Sequence, residues 1–444
     1  MTKRQNGLKP TQKESASQRR KKLIAVPEII SISALFLAAS LLVSSYFGKN
    51  IISLFIFSPN DGWCLNNQTG IGVHCFGDFG APLTFSGHGL NGFYSSTVVS
   101  QYPPLNYYLF AIFRFIATHF TYRSSLALFL LIMLGGFLAS FFNAMSRPHI
   151  TKIEKFSYSV GLLSLLPIIM TLDRGNIIGY TLPLLFLYSS QNSHISKTRR
   201  ILSVCLLVNL KPQFILLLIW KFRGNKWKEA VEEFVAIVLS YLFFFFVGAP
   251  KYFLQNIKIF VHSLLNYGNI DFNRQYPYNY SFAQGIHNFQ SAFFGREIFP
   301  GLTSYEAILF SIVVLLCIIW NRKYLSSSLT IFLVIPLIFL IPTLSFAYYS
   351  LVLVPLVVSE NNIFSLDFPK AVGGKMAKYT FIFCVLITIL PIYLGNDMLG
   401  VARNPYNVIQ ILLPSLWAVT YAIFILSTVW RKINPKNQIA TKLK

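Results

Sequence analysis

Long apolar runs, cut at intervals by short clusters of lysine and arginine, set the first limit on what this chain can fold into. Windows of 16 or more nearly uncharged residues recur along the whole length, and such a run is long enough to cross most of a bilayer's hydrocarbon core as a helix. Hydrophobic residues make up 54% of the 444 and charged residues only 12%, too few charges to clothe a soluble protein of this size. The runs expected to span are 25–47, 156–172, 177–190, 231–248, 305–320, 379–394 and 408–429, with further membrane segments in 105–145, 201–220 and 329–358. Together they amount to about eleven or twelve crossings. Backbone groups in hydrocarbon must be satisfied within their own segment, so the expected fold class is all-α, a polytopic membrane helical bundle with outer-face loops and short broken hairpins.

The net charge of +23 does not point to nucleic acid. Its excess lies in short blocks between the apolar runs, at 19–22, 147–155, 197–200, 221–228, 322–323, 370–378 and 431–444, and would not form one continuous stripe. This is the positive-inside pattern of a membrane protein, and it places both termini in the cytoplasm. Residues 1–22 read as a disordered cytoplasmic tail, 23–430 as one multi-span domain and 431–444 as a basic cytoplasmic tail. The first apolar run lacks a small-residue cleavage site and reads as an anchor in the cell (plasma) membrane.

Two outer loops remain long enough to carry function, 48–104 and 249–304, and loops held by a rigid scaffold commonly supply site residues. The first contains Asp78, within Gly77-Asp78-Phe79 and ahead of Gly92-Phe93-Tyr94 and Tyr102-Pro103-Pro104-Leu105. Only 15 of the 444 residues are acidic, so the candidate bases on that face are few; Asp61 is the competing one. Cys64 and Cys75 flank a Gly/Asn-rich stretch of the same loop, where an oxidising compartment would permit a disulfide or leave two loop thiols. The tyrosines Tyr94, Tyr102, Tyr276, Tyr278 and Tyr280 suit either stacking on a ligand or anchorage at the bilayer interface. No cluster of residues at metal-ligand spacing is visible, although a lone aspartate with a lipid phosphate could recruit a divalent ion.

Counting crossings between basic blocks yields two interrupted hairpins. If 197–200 and 221–228 are both cytoplasmic, Asn209-Leu210-Lys211-Pro212-Gln213 becomes a turn inside the membrane, with arms of about ten residues or roughly 15 Å. The same reasoning puts the stretch 342–349, with Tyr348 and Tyr349, at the turn of a second hairpin, so that Lys211 and the two tyrosines face one cavity. Lys211 on an ordinary span, snorkelling to the interface, is the plainer alternative. Residues 105–145 resist the count: two spans there would put 147–155 outside, unless Arg114 marks a helix lying at the interface. Thr171-Leu172-Asp173-Arg174-Gly175-Asn176 lies one span from basic blocks on either side and is expected to face outward, either capping helix ends or serving a site at the membrane edge.

Taken in order, Asp78-Phe79, Tyr102-Pro103-Pro104-Leu105, Asp173-Arg174-Gly175-Asn176, Leu210-Lys211-Pro212-Gln213, the stretch 221–227 and Asn279-Tyr280-Ser281 resemble glycosyltransferase family 87, of the GT-C class of membrane enzymes. The similarity covers about residues 75–290 and departs from the family in the Gly/Cys-rich insertion at 59–77. The resemblance implies a polyprenyl-phosphate sugar donor, most commonly mannose, with a glycolipid or polysaccharide acceptor on the extracytoplasmic face. It implies inverting transfer, for which the residues in hand are Asp78 as general base, Lys211 and Arg174 on the donor phosphate, Asp173 orienting Arg174, and Tyr102, Asn176 and Asn279 near substrate, joined by Tyr348 and Tyr349 from the hairpin count. The chemistry suits these residues: a phosphate leaving group needs a cation and no second carboxyl acid. The rival readings are a transporter or flippase of lipid-linked saccharides, for which no repeat of one half in the other is evident, and a polysaccharide polymerase or ligase.

Overall fold

The computed structural model describes residues 25–46, 76–96, 99–145, 150–189, 196–266, 279–294, 303–342, 345, 347–358, 363–394 and 408–433. The N-terminal tail, residues 434–444 of the C-terminal one, Asp61, Cys64, Cys75, Tyr276 and Tyr278 lie outside them. Among the described residues the fold is helical throughout, with no strand. In chain order the α-helices are α1 (Ala25–Tyr46), α2 (Gly77–Ser86), α3 (Gly89–Ser95), α4 (Pro104–His119), α5 (Tyr122–Ala144), α6 (Lys152–Gly161), α7 (Leu166–Arg174), α8 (Thr181–Ser189) and α9 (Lys197–Leu210). They continue with α10 (Trp227–Gly248), α11 (Phe253–Asn266), α12 (Phe282–Phe294), α13 (Thr303–Trp320), α14 (Ser327–Val334), α15 (Leu337–Leu340), α16 (Val354–Val358), α17 (Gly374–Ile389) and α18 (Val408–Ile433).

Among the described residues five helices are long and apolar enough to cross a membrane: α1, α5, α10, α13 and α18. A sixth passage arises if α6 and α7 are taken as one span bent by 69°. This is fewer than the eleven or twelve expected, because apolar composition continues where the backbone does not remain helical. Leu165 is extended (ψ 135°), ahead of Leu166-Pro167 at the start of α7, so the run 156–172 breaks where proline disfavours a continuous helix. Residues 201–220 divide at Lys211, likewise extended (φ −147°, ψ 116°) before Pro212, into α9 and a 3-10 segment, Pro212–Asn225. These two arms pack on each other as a hairpin. Residues 329–358 divide into α14, α15, the 3-10 turns Ala347–Leu353 and α16.

Packing decides the ambiguity at 105–145. Phe129 of α5 accepts a hydrogen bond from Tyr180 on its carbonyl (2.9 Å), Met133 lies against Gly179, Gly136 against Pro183, and the Phe141 ring meets Phe186. From Met133 onward the numbers rise together, 133, 136 and 141 against 179, 183 and 186, so α5 and α8 run parallel. Their C-terminal ends, which lead into residues 147–155 and 197–200, therefore lie at the same end of the bundle. A single passage by α5 suffices, and α4 packs instead along α2 and α5, with Phe110 and Phe113 buried and Ile112 and Phe115 exposed.

The base of the α9 hairpin is held by buried charge. Lys221, 3% exposed, pairs with Glu233 at 2.8 Å and Glu229 at 2.9 Å, and Tyr188 links Trp220 to Glu233 by donating to its carboxylate. Such a pair specifies position, since either partner left alone would be an uncompensated buried charge.

Candidate active site

The site begins at the turn between α7 and α8. The last turn of α7 closes by a Schellman pattern, Gly175 N–H donating to Leu172 O and Asn176 N–H to Thr171 O, each at 3.1 Å. Gly175 has φ +58°, and a Cβ there would come within 3.0 Å of the Phe79 Cβ. Glycine is thus needed both for the left-handed turn and for the close approach of α2. A backbone bond from Phe76 N–H to the Asp173 carbonyl (2.7 Å) ties the two segments. Phe79 enters a buried aromatic cluster with Phe110, Phe113 and Phe129, ring centroids 4.8–6.1 Å away, which fixes the start of α2 in place.

Asp78, the residue just before Phe79, is thereby directed at the α7 turn. Arg174 donates to both of its oxygens, Nη2 to Oδ1 at 2.5 Å and Nε to Oδ2 at 3.0 Å, and Asn176 Nδ2 donates to Oδ2 at 2.7 Å. The Asn176 side-chain oxygen accepts the Ile178 N–H at 2.9 Å, which settles the amide orientation. The Asp78 and Arg174 side chains are 15% and 11% exposed, so the pair is enclosed yet reachable. Burial by itself raises the Asp78 carboxyl's affinity for protons. The Arg174 charge and the hydrogen bonds from Arg174 and Asn176 outweigh it, with help from Lys211, and hold the group below the ordinary carboxylate range.

Lys211, at the tip of the first hairpin, is 6% exposed. Its Nζ donates to the Tyr349 hydroxyl at 3.0 Å and lies 4.6 Å from the Tyr102 ring and 5.1 Å from the Tyr349 ring. Among the described residues it makes no ion pair. Tyr349 stacks on Tyr348 at 5.0 Å, and Arg174 sits 5.7 Å over the Tyr348 ring. The tips of both interrupted hairpins, the α7 turn and the start of α2 thus meet at one place. No protein-family model, curated protein or solved structure matches the chain.

Asp78, Arg174, Asn176, Lys211, Tyr102, Tyr348 and Tyr349 come together in this way. Asp173 borders the cluster through its carbonyl, while its neighbour Arg174 is held by Asp78. Asn279 is fully buried, and its side-chain oxygen accepts the backbone N–H of Ser281 and Ser345 at 3.2 and 2.9 Å, so that oxygen clamps the second outer segment to the second hairpin. Asn106 escaped the sequence reading. Fully buried in α4, it donates to the Leu210 carbonyl at 3.1 Å and so holds the backbone beside Lys211; the only signal was an amide directly after Tyr102-Pro103-Pro104-Leu105. Among the described residues no group of three or more His, Cys, Asp or Glu is placed to hold a metal ion.

Beside the cluster lies an apolar groove of about 350 Å³ between α4, α5, α8 and α9, lined by Leu105, Leu109, Met133, Gly179, Pro183 and Leu210 among others. It begins next to Lys211, and a hydrocarbon chain is the kind of group it can take.

Proposed function

We propose that this protein is an inverting glycosyltransferase that moves a sugar, mannose in the first instance, from a polyprenyl phosphate to a glycolipid or polysaccharide acceptor on the extracytoplasmic face of the cell membrane. The observation that carries the reading is one reachable carboxylate, Asp78, beside a buried ammonium, Lys211, surrounded by tyrosines and without an ion pair among the described residues. A buried cation in that condition suits an anion supplied by substrate. The adjoining groove suits the isoprenoid tail of the same molecule, and the parallel course of α5 and α8 is consistent with the whole cluster lying opposite the basic blocks.

In the reaction, the acceptor hydroxyl oxygen attacks the anomeric carbon while its proton passes to the Asp78 carboxylate. The bond from that carbon to the phosphate oxygen breaks, and its electron pair leaves on the phosphate beside Lys211. No second carboxyl is required, because a phosphate leaves without being protonated by the protein. Tyr102, Tyr348 and Tyr349 offer ring faces for the sugar.

One observation favours a transporter instead: two interrupted hairpins meet tip to tip, as discontinuous helices do at transporter midplanes. The purified protein in liposomes, given radiolabelled polyprenyl-phosphate mannose and a glycolipid acceptor, separates the readings. Label passes to the acceptor under the present account and fails to do so with Asp78→Asn. Undiminished transfer by Asp78→Asn moves the base to Asp61, and movement of intact donor across the bilayer without transfer makes the protein a transporter.

A further inference from the structure

A general base needs a lone pair aimed at the hydroxyl it deprotonates, yet every strong acceptor direction of Asp78 toward the α7 turn is taken. Oδ1 is held by Arg174, and Oδ2 by Arg174 and Asn176 together. As it stands, the carboxylate is anchored and weakly basic. The two cations near it differ in commitment. Lys211 donates a hydrogen bond to Tyr349 and, among the described residues, makes no ion pair, whereas Arg174 is bidentate on Asp78. They are nonetheless linked by one aromatic step: Arg174 lies over Tyr348, Tyr348 stacks on Tyr349, and the Tyr349 hydroxyl accepts a hydrogen bond from Lys211 Nζ. A phosphate ester bound at Lys211 therefore arrives beside the face where the guanidinium rests. Guanidinium binds phosphate in the same two-pronged manner as carboxylate, so the arriving phosphate competes with Asp78 for it.

We propose that a phosphate bound at Lys211 draws Arg174 away from Asp78, leaving the carboxylate held by Asn176 alone, with Oδ1 open to the acceptor hydroxyl. The inference rests on the phosphate-ester reading of the site. It makes Arg174 serve twice, restraining the base before the donor is present and sharing the phosphate's charge as the anomeric C–O bond breaks. It makes Asn176 a positioning residue. With its oxygen fixed by the Ile178 N–H, its amide nitrogen continues to donate to Oδ2 after the guanidinium has left. The proton balance is unchanged: the acceptor's proton goes to Oδ1, and the phosphate departs with the bonding pair. Donor must then bind before acceptor can be deprotonated.

The test uses the full chain in detergent with farnesyl phosphate as probe and farnesol as its uncharged counterpart. Infrared difference spectra report the Asp78 carboxylate stretch, assigned by its loss in Asp78→Asn. Farnesyl phosphate is expected to shift that band and farnesol to leave it in place; in Arg174→Gln the shift should already be present without ligand. Calorimetric binding of farnesyl phosphate with an unmoved Asp78 band overturns the exchange while sparing the phosphate reading. Absence of any phosphate-dependent binding removes both. In steady-state transfer, Asn176→Leu should lower kcat on the order of a hundredfold with the donor KM unchanged, and a loss confined to KM would overturn the role given to Asn176.

Discussion

Replacing Arg174 by Gln removes the guanidinium but leaves Asp78 enclosed, with the Asn176 hydrogen bond as its remaining anchor. Breaking a buried ion pair from one side costs about 3–5 kcal/mol, because the surviving charge keeps its desolvation penalty. The two side chains are only 11% and 15% exposed, so little of this is screened by water, and the retained amide bond puts the expectation near the lower end, about 3 kcal/mol. In a chain of this length each kcal/mol moves the melting temperature by about 1–2 °C, so Arg174→Gln should melt about 3–6 °C lower in detergent. The decisive comparison is a double-mutant cycle. Asp78→Asn with Arg174→Gln removes both charges, and its melting point should lie well above that expected from adding the two single losses. Strict additivity would refute the argument that these residues act as one buried pair.

Because Asp78's folded carboxyl sits below its ordinary value, the stabilisation it gives is fully present above the unfolded carboxylate pKa of about 4 and fades as pH falls through the lower folded one. The stability gap between the native chain and Asp78→Asn, followed by melting, should hold constant from neutral pH to about 4 and narrow only below that; narrowing near pH 6 would be contrary. At the hairpin base, Lys221→Met should cost about 3 kcal/mol by stranding Glu233, whereas Lys221→Met with Glu233→Leu should cost far less, again read by melting. A Cβ on Gly179 would come within 2.3 Å of the Met133 sulfur, so Gly179→Ala should destabilise by about 1–3 kcal/mol, and Met133→Ala in the same chain should restore part of that.

Helical membrane character was legible because apolar runs and basic blocks are properties of composition. The number of continuous helices was not, because Pro167 and Pro212 break runs whose hydropathy does not change. The hairpin tip at Lys211 could be read from the spacing of the flanking basic blocks and from Pro212, and its nearness to Tyr348 and Tyr349 from the same count applied twice. Pairing was harder. Arg174 is adjacent in sequence to Asp173, but the Schellman turn at Gly175 and the aromatic anchorage of Phe79 deliver Asp78, 96 positions away, to its guanidinium. The course of 105–145 depended on α5 lying parallel to α8, and Asn106's hold on the Leu210 carbonyl on the approach of α4 to α9. Neither leaves a periodic signal in the sequence.

The central claim is direct displacement with a single carboxylate as base, and the anomeric configuration of the product tests it most directly. Transfer from a polyprenyl-phosphate mannose of defined anomeric configuration, analysed by the one-bond C1–H1 coupling of the isolated product, should give the opposite anomer. A product that retains the donor's configuration would require a covalent glycosyl intermediate or a second catalytic group, and would contradict the account.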